Sequence, residues 1–344
     1  MSERYEIRAA TTADIDALAG LARHLDTVNL PDDPEAVERL LATSERSFSG
    51  QITDPCEREY VFVLRELESG RAVGTSMVIA QLGRRGAPYI YFDVRREEKY
   101  SATLDRHFVH TVLATTYSYD GPTEIGGLVV DPTYRKRKAR LGTMISYVRF
   151  LLVALQRDDF QDQLLAELLP PLGPDGRSHL WEAVGRRFTG LDYRVADRLS
   201  RSNKEFIRGL FPDEIYATLL SDEARAVIGA VGEQTRGVEK LLCRIGFHYA
   251  ERVDPFDGGP HFIAATDGVS VVAGSAPRPV ELAEGAEAAT GAAPCLVALK
   301  TPRAPYFRAR QGLLSPEGAI VLPPREAGEM ELSPGDPAWS VALR

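Results

Sequence analysis

"EIGGLVVDPTYRKRKARLG", residues 124–142, decides the fold. Its first half is an apolar run carried by Ile125, Leu128, Val129 and Val130, and it stops at the turn dipeptide Asp131-Pro132. Five basic residues follow within six positions: Arg135, Lys136, Arg137, Lys138 and Arg140. Gly142 then opens a helical spacing through Met144, Ile145, Val148 and Leu151. A strand, a basic turn, a glycine and a helix start place backbone N–H groups and positive charge where a phosphate would sit. In a chain of net charge −8, so dense a basic cluster points to an anionic ligand. The competing reading is a solvated charged turn.

Upstream, "YEIRAA" reads as a strand, and Thr12 with Asp14 starts a helix through Ile15, Leu18, Leu21 and Leu25. Val37, Leu40 and Leu41 give residues 34–48 an amphipathic helical face. "EYVFVLREL" and "AVGTSMVIAQL" flank Glu68-Ser69-Gly70 as a hairpin. A further strand is expected at 89–94 and a helix at 104–116, the latter carrying His110 toward the cleft. "QLLAELL" is a strand or short helix, and "SHLWEAVGRRF" a helix in which Trp181, with Phe188 and Leu191, serves packing. Residues 266–294, rich in Ala, Gly and Pro, read as a linker or long loops. Four short strand candidates follow, "PCLVALK", "YFRARQG", "AIVLPP" and "WSVALR".

Composition bounds the function. With 44% apolar and 26% charged residues, the chain falls among ordinary globular proteins. The first residues lack a signal peptide's apolar core, and no apolar run approaches the roughly 18 residues of a membrane span. Cys56, Cys243 and Cys295 are too far apart for a metal-ligand spacing, so a cytoplasmic protein without a metal site is expected. The acidic balance argues against nucleic-acid binding.

Ordered blocks along most of the chain carry a resemblance. They include "DPTYR" (131–135), "SYVRFLL" (146–152), "AELL" (166–169) and "DGRSHLWEAVGRRF" (175–188). "LDYRVADRLS" (191–200), "NKEFIRGLFP" (203–212), "EARAVIG" (223–229), "IGFHYAERVDPFDGGP" (245–260) and "YFRA" (306–309) follow. In these the chain resembles the arginine N-succinyltransferase family, acyl-CoA-dependent enzymes of the GNAT acyltransferase fold. The resemblance implies an α/β GNAT-like core over residues 1–260 and a small β-rich C-terminal module over 261–344. It also implies transfer of succinyl from succinyl-CoA, a co-substrate and not a bound cofactor, to the α-amino group of arginine in arginine catabolism. Leu128, Val129 and Val130 would line the acyl-CoA, with Arg135, Lys138 and Gly142 at its phosphates.

Three departures fall on positions that matter. The family's Val-His-Pro-x-Thr block, whose histidine is its proposed proton-transfer group, reads Val231-Gly232-Glu233-Gln234-Thr235 here. Glycine transfers no protons, so the base is unassigned, with Glu233 and His110 as candidates and His179 and His248 as lesser ones. In an otherwise intact pocket, a histidine restored at 232 would raise activity. The family's glycine-rich phosphate loop aligns with Lys138-Ala139-Arg140-Leu141-Gly142, and its Arg-Gly pair with Leu169-Pro170-Pro171. Asp254 and Asp257 either cap turns around Gly258-Gly259-Pro260 or bind a cationic acceptor. The alternatives are an acyltransferase for another amine or acyl donor, and a non-catalytic subunit of a hetero-oligomer. The family's two-subunit forms leave a homo- or hetero-oligomer open.

Overall fold

A computed structural model of the chain describes residues 4–23, 33–135, 137, 139–200, 203–284 and 291–343. Its strands begin with β1 (Tyr5–Ala9), β2 (Glu59–Glu66), β3 (Ala72–Ile79), β4 (Tyr89–Ser101) and β5 (Arg106–Ser118). Next come β6 (Thr123–Val130), β7 (Gln163–Glu167), β8 (Glu214–Tyr216), β9 (His248–Val253) and β10 (Pro260–Ala265). Then follow β11 (Ala276–Leu282), β12 (Ala293–Lys300), β13 (Phe307–Leu314), β14 (Ile320–Leu322) and β15 (Pro337–Ala342). The helices that matter below are α1 (Ile15–Ala22), α2 (Pro34–Phe48), α3 (Leu141–Leu155), α4 (His179–Ala183) and α5 (Gly185–Thr189). The architecture is α/β, with a β-rich C-terminal part. No helix among the described residues is long and apolar enough to cross a membrane.

The chain forms two compact units. The first gathers Met1–Ala80, Ile125–Asp162 and Thr266–Arg344; the second gathers Gln81–Glu124 and Gln163–Ala265. In the first, the strand order is β12-β15-β11-β14-β13-β1-β2-β3, with the body of β6 beside β3. Leu18 and Leu21 of α1 and Val37, Leu40 and Leu41 of α2 bury their apolar stripes against Val61, Val63 and Met77. Each side chain so buried contributes roughly 1.5–3 kcal/mol. Asp33 caps α2 by accepting the Ala36 N–H at 3.1 Å, and Pro34 occupies the first helical position. The expected helix residue Leu25 lies outside the described residues.

In the second unit the order is β7-β10-β9-β4-β5-β8, and the start of β6 pairs in parallel with β7 at Thr123–Leu164 and Glu124–Leu165. Two expectations are corrected here. Residues 106–118 form strand β5, paired residue for residue with β4, and not a helix. Val109, Thr111, Val112, Thr115 and Thr116 are β-branched, and such side chains fit a pleated surface better than a helix. "SHLWEAVGRRF" is two short helices, α4 and α5, because Val184 leaves helical angles at φ −122° and ψ −76°. That bend brings Gly185 onto the Trp181 indole, which is fully buried and stacked on Phe256. Phe188 stays 45% exposed, so of the expected packing trio only Trp181 is a fully buried core residue.

The reading of 266–294 as a linker also fails. It contains β11, which pairs antiparallel with β15 and parallel with β14. Pro277 and Pro279 weaken the strand signal in the sequence; they lie in the stretch Ala276–Pro279 that pairs with β15, while Val280–Leu282 pairs with β14.

Candidate active site

Strand pairing in the second unit places acidic and imidazole side chains together. β7 and β10 are antiparallel with His261 directly opposite Glu167, so both side chains leave the same face. Glu124, opposite Leu165 in the parallel β6–β7 pair, sits next to that face. After β9 the chain turns through Asp254-Pro255-Phe256-Asp257-Gly258-Gly259, closed by the Asp254 N–H donating to the Gly259 carbonyl at 2.9 Å. Asp254 Oδ1 accepts the N–H groups of Phe256 (2.7 Å) and Asp257 (3.2 Å), and Asp257 Oδ1 accepts that of Gly259 (2.7 Å). Each aspartate thus spends one oxygen on the turn and keeps the other. Glu167, Asp254 and His261 each bring one side-chain nitrogen or oxygen atom within 4.8 Å of the others.

The electrostatics follow from crowding like charges away from water. Glu167 keeps 31% of its side-chain surface exposed. Loss of hydration, then the charges of Glu124 and Asp254, hold its carboxyl well above the usual range, with Lys204 opposing. Asp257, 8% exposed, is raised by burial and by Asp254; Asp254 itself is raised by burial against the pull of Lys204 and two N–H groups. His261 has no exposed surface, and burial, with Lys204 and Arg252, pushes it down to about 3. Its Nδ1 meets the Tyr89 hydroxyl at 2.9 Å, and its Nε2 faces Glu167 Oε1 at 3.3 Å without completing a hydrogen bond. Tyr89, Tyr91 and Leu165 form the apolar floor, and the Arg252 guanidinium lies 4.5 Å over the Tyr91 ring.

The other expected base positions stand apart from this cluster of partners. His110 is on β5 with its Nδ1 bonded to Thr218 Oγ1 at 2.9 Å and its ring near Phe108 and Tyr216. The helix expected to aim it is absent because that segment is a strand. Glu233 is exposed. Gly232 is buried, and its N–H donates to the Leu169 carbonyl at 2.8 Å. A Cβ built there would lie 2.8 Å from that same oxygen and 2.9 Å from the Pro170 oxygen. Two of the sequence departures, at 232 and at 169–171, are therefore one structural event: the backbone of the second fills the space of the first.

In the first unit, the basic turn divides its charges. Arg135 Nε donates to the Val130 carbonyl at 2.9 Å, at the end of β6. Arg137 bonds Tyr5 and Glu66 and lies 3.9 Å over the Tyr134 ring. Arg140 takes the left-handed conformation at the α3 N-terminus, and its carbonyl accepts from Thr143 and Met144. Gly142, in the first turn of α3, is exposed. Lys138 lies outside the described residues. Leu128 is half-buried, and Val129 and Val130 are buried. Gly127 bends β6 with a φ of 55°.

The sequence profile of the family described as "Arginine N-succinyltransferase beta subunit" matches residues 5–271. The chain belongs to the arginine N-succinyltransferase family. Arginine N-succinyltransferase of Yersinia pestis (strain Pestoides F) is 35% identical over 270 residues, covering 78% of this chain and 76% of that protein. The Salmonella paratyphi B protein of the same name is 31% identical over 342 residues, 98% and 97% of the two chains. The solved arginine/ornithine succinyltransferase subunit AI from Pseudomonas aeruginosa superposes with a TM-score of 0.84 at 28% identity, covering 99% of each chain. Within this member of the family, Glu167, Glu124 and His261 are the residues that sequence reasoning missed. The signals were a lone acid in the apolar run "QLLAELL" and a histidine directly after the Gly-Gly-Pro turn.

Proposed function

We propose that this chain is an acyltransferase that moves the succinyl group of succinyl-CoA onto the α-amino group of arginine. Membership of the family over residues 5–271 carries this reading. The second unit supports it through the acceptor's charge. Glu124, Glu167, Asp254 and Asp257 crowd one face, and a doubly cationic amino acid would relieve their repulsion through charge-assisted hydrogen bonds. The free oxygens of Asp254 and Asp257 are the proposed partners of the guanidinium or ammonium group.

The acyl-CoA belongs on β6 and α3 in the same reading. Leu128, Val129 and Val130 would line the pantetheine, whose amides pair with strand backbone as an added strand does. Arg135, Gly142 and the first-turn N–H groups of α3 would take the phosphates. Gly127 kinks the strand, and a kinked strand presents an N–H outside its ladder for the developing oxyanion. A thioester is already activated, so alignment of amine and carbonyl supplies much of the acceleration. Three cysteines far apart in the sequence, an odd number, suit a reducing compartment such as the cytoplasm. Assembly with a second copy or a related subunit belongs to the same reading.

The test is CoA thiol release with succinyl-CoA or acetyl-CoA against arginine, ornithine and the neutral analogue citrulline. Succinyl-CoA with arginine should be fastest, by at least about tenfold over citrulline, the selectivity of one charge pair worth roughly 1.4 kcal/mol. Equal rates with citrulline would remove the cationic-acceptor reading, and no release with any amine would remove the enzyme reading.

A further inference from the structure

We propose that Glu167 is the general base of the acyl transfer, with His261 as the residue that positions it. This rests on the acyl-transfer reading above. The position where the family carries its histidine is closed to a side chain here unless the backbone shifts, because a Cβ at 232 would lie 2.8 and 2.9 Å from the Leu169 and Pro170 carbonyl oxygens. Two residues before Leu169, on the same run of chain, Glu167 keeps an accessible carboxylate at the C-terminal end of β7. The groups facing it are Glu124 from β6, Asp254 and Asp257 from the turn after β9, His261 from β10, and Lys204 ahead of the helix Glu205–Leu210.

An amine attacks a thioester only after its ammonium has lost a proton. Glu167 takes that proton; the freed nitrogen lone pair forms the C–N bond to the succinyl carbonyl. The tetrahedral intermediate then collapses, the C–S bond breaks with its electron pair leaving on CoA sulfur, and the second nitrogen proton ends on that thiolate. The proton held by Glu167 returns to solvent. An ordinary carboxylate is a poor match for an ammonium, and the crowding of acids around Glu167 narrows the gap between them. His261 supplies the orientation. With the Tyr89 phenol donating to Nδ1 at 2.9 Å, the proton of the neutral ring sits on Nε2, which lies 3.3 Å from Glu167 Oε1.

Glu167→Gln and His261→Phe decide the matter in the full chain, with Glu167→Asp as the variant that keeps the charge. Glu167→Gln should lower kcat by about 10²–10⁴-fold, with the Kd for succinyl-CoA and the KM for arginine within a few-fold of wild type. It should melt no lower than wild type, since it removes a crowded charge. The wild-type kcat falls on acidification as Glu167 becomes protonated. That acid limb should vanish in Glu167→Gln, persist in Glu167→Asp, and move to higher pH in His261→Phe, which loses the N–H that favours the carboxylate. A Glu167→Gln enzyme that keeps its kcat, or loses only KM for arginine, overturns the assignment of the base. A wild type that releases no CoA with any amine overturns the acyl-transfer reading and this one with it.

Discussion

A side chain at position 232 would begin 2.8 Å from one carbonyl oxygen and 2.9 Å from another, both on the run Leu169-Pro170. Those oxygens belong to backbone, and the Leu169 oxygen also accepts from Gly232 N–H and Thr235 Oγ1. The run has little freedom to retreat. Gly232→Ala should therefore cost about 1–3 kcal/mol, as overpacking typically does, and lower the melting temperature. Gly232→His, which the sequence alone suggests as a restoration, should destabilise at least as much and gain no turnover. A Gly232→His protein as stable as wild type and faster in succinyl transfer would show that the run moves aside and that the proton-transfer site is where relatives have it.

The acidic turn is held from outside by the Gly229 N–H, which donates to the Gly258 carbonyl at 2.9 Å, and by a hydroxyl. Ser178 caps α4 by accepting the Trp181 N–H at 2.9 Å, and its own O–H donates to the Phe256 carbonyl at 2.7 Å, inside the turn between Asp254 and Asp257. Ser178 is fully buried, so Ser178→Ala leaves a carbonyl and an N–H without a partner. The expected loss is about 1–3 kcal/mol by thermal or urea melt, with a raised KM for the amine and little change in the Kd for succinyl-CoA. A change confined to stability would mean that the turn keeps its shape without the anchor. At this scale the sequence was most informative where one period dominated: α2 has the range its apolar spacing gave, and the β2–β3 hairpin its turn. It was least informative where period and composition disagreed. β5 carries apolar residues at spacings that fit either element, and β11 hides two prolines in a strand. The acid cluster was invisible for a different reason. Its members come from β6, β7, β10 and a turn, and only strand register brings Glu167 opposite His261; register is a tertiary fact.

For the whole molecule, the family profile stops at residue 271 but the fold does not. β13 pairs with β1, placing Arg308 and Arg310 on the buried Glu6 at 2.6 and 3.2 Å. Arg310 also meets Glu329, and Arg4 reaches the same acid at 3.3 Å; hydrogen bonds from Arg310 first, then Arg325 and Arg4, pull its carboxyl down to about 2. Removing everything after residue 271 would strand Glu6 without its arginines and open the edge of β1. Breaking a buried ion pair from one side typically costs about 3–5 kcal/mol. The truncated chain should be insoluble or melt far below the full chain, and a soluble truncation with an unchanged melting temperature would count against the role given to these strands. The pairing of Glu6 with Arg310 spans 304 residues, and a ribosome makes the chain in order. At about 5–20 residues per second, β1 waits roughly 15–60 s for its second neighbour. Residues 81–124 and 163–265 are all made before that neighbour emerges, so the second unit can close while the first still shows an unsatisfied row of peptide groups, a template for pairing with other nascent chains. The strand synthesised first is the one that waits longest for its second neighbour.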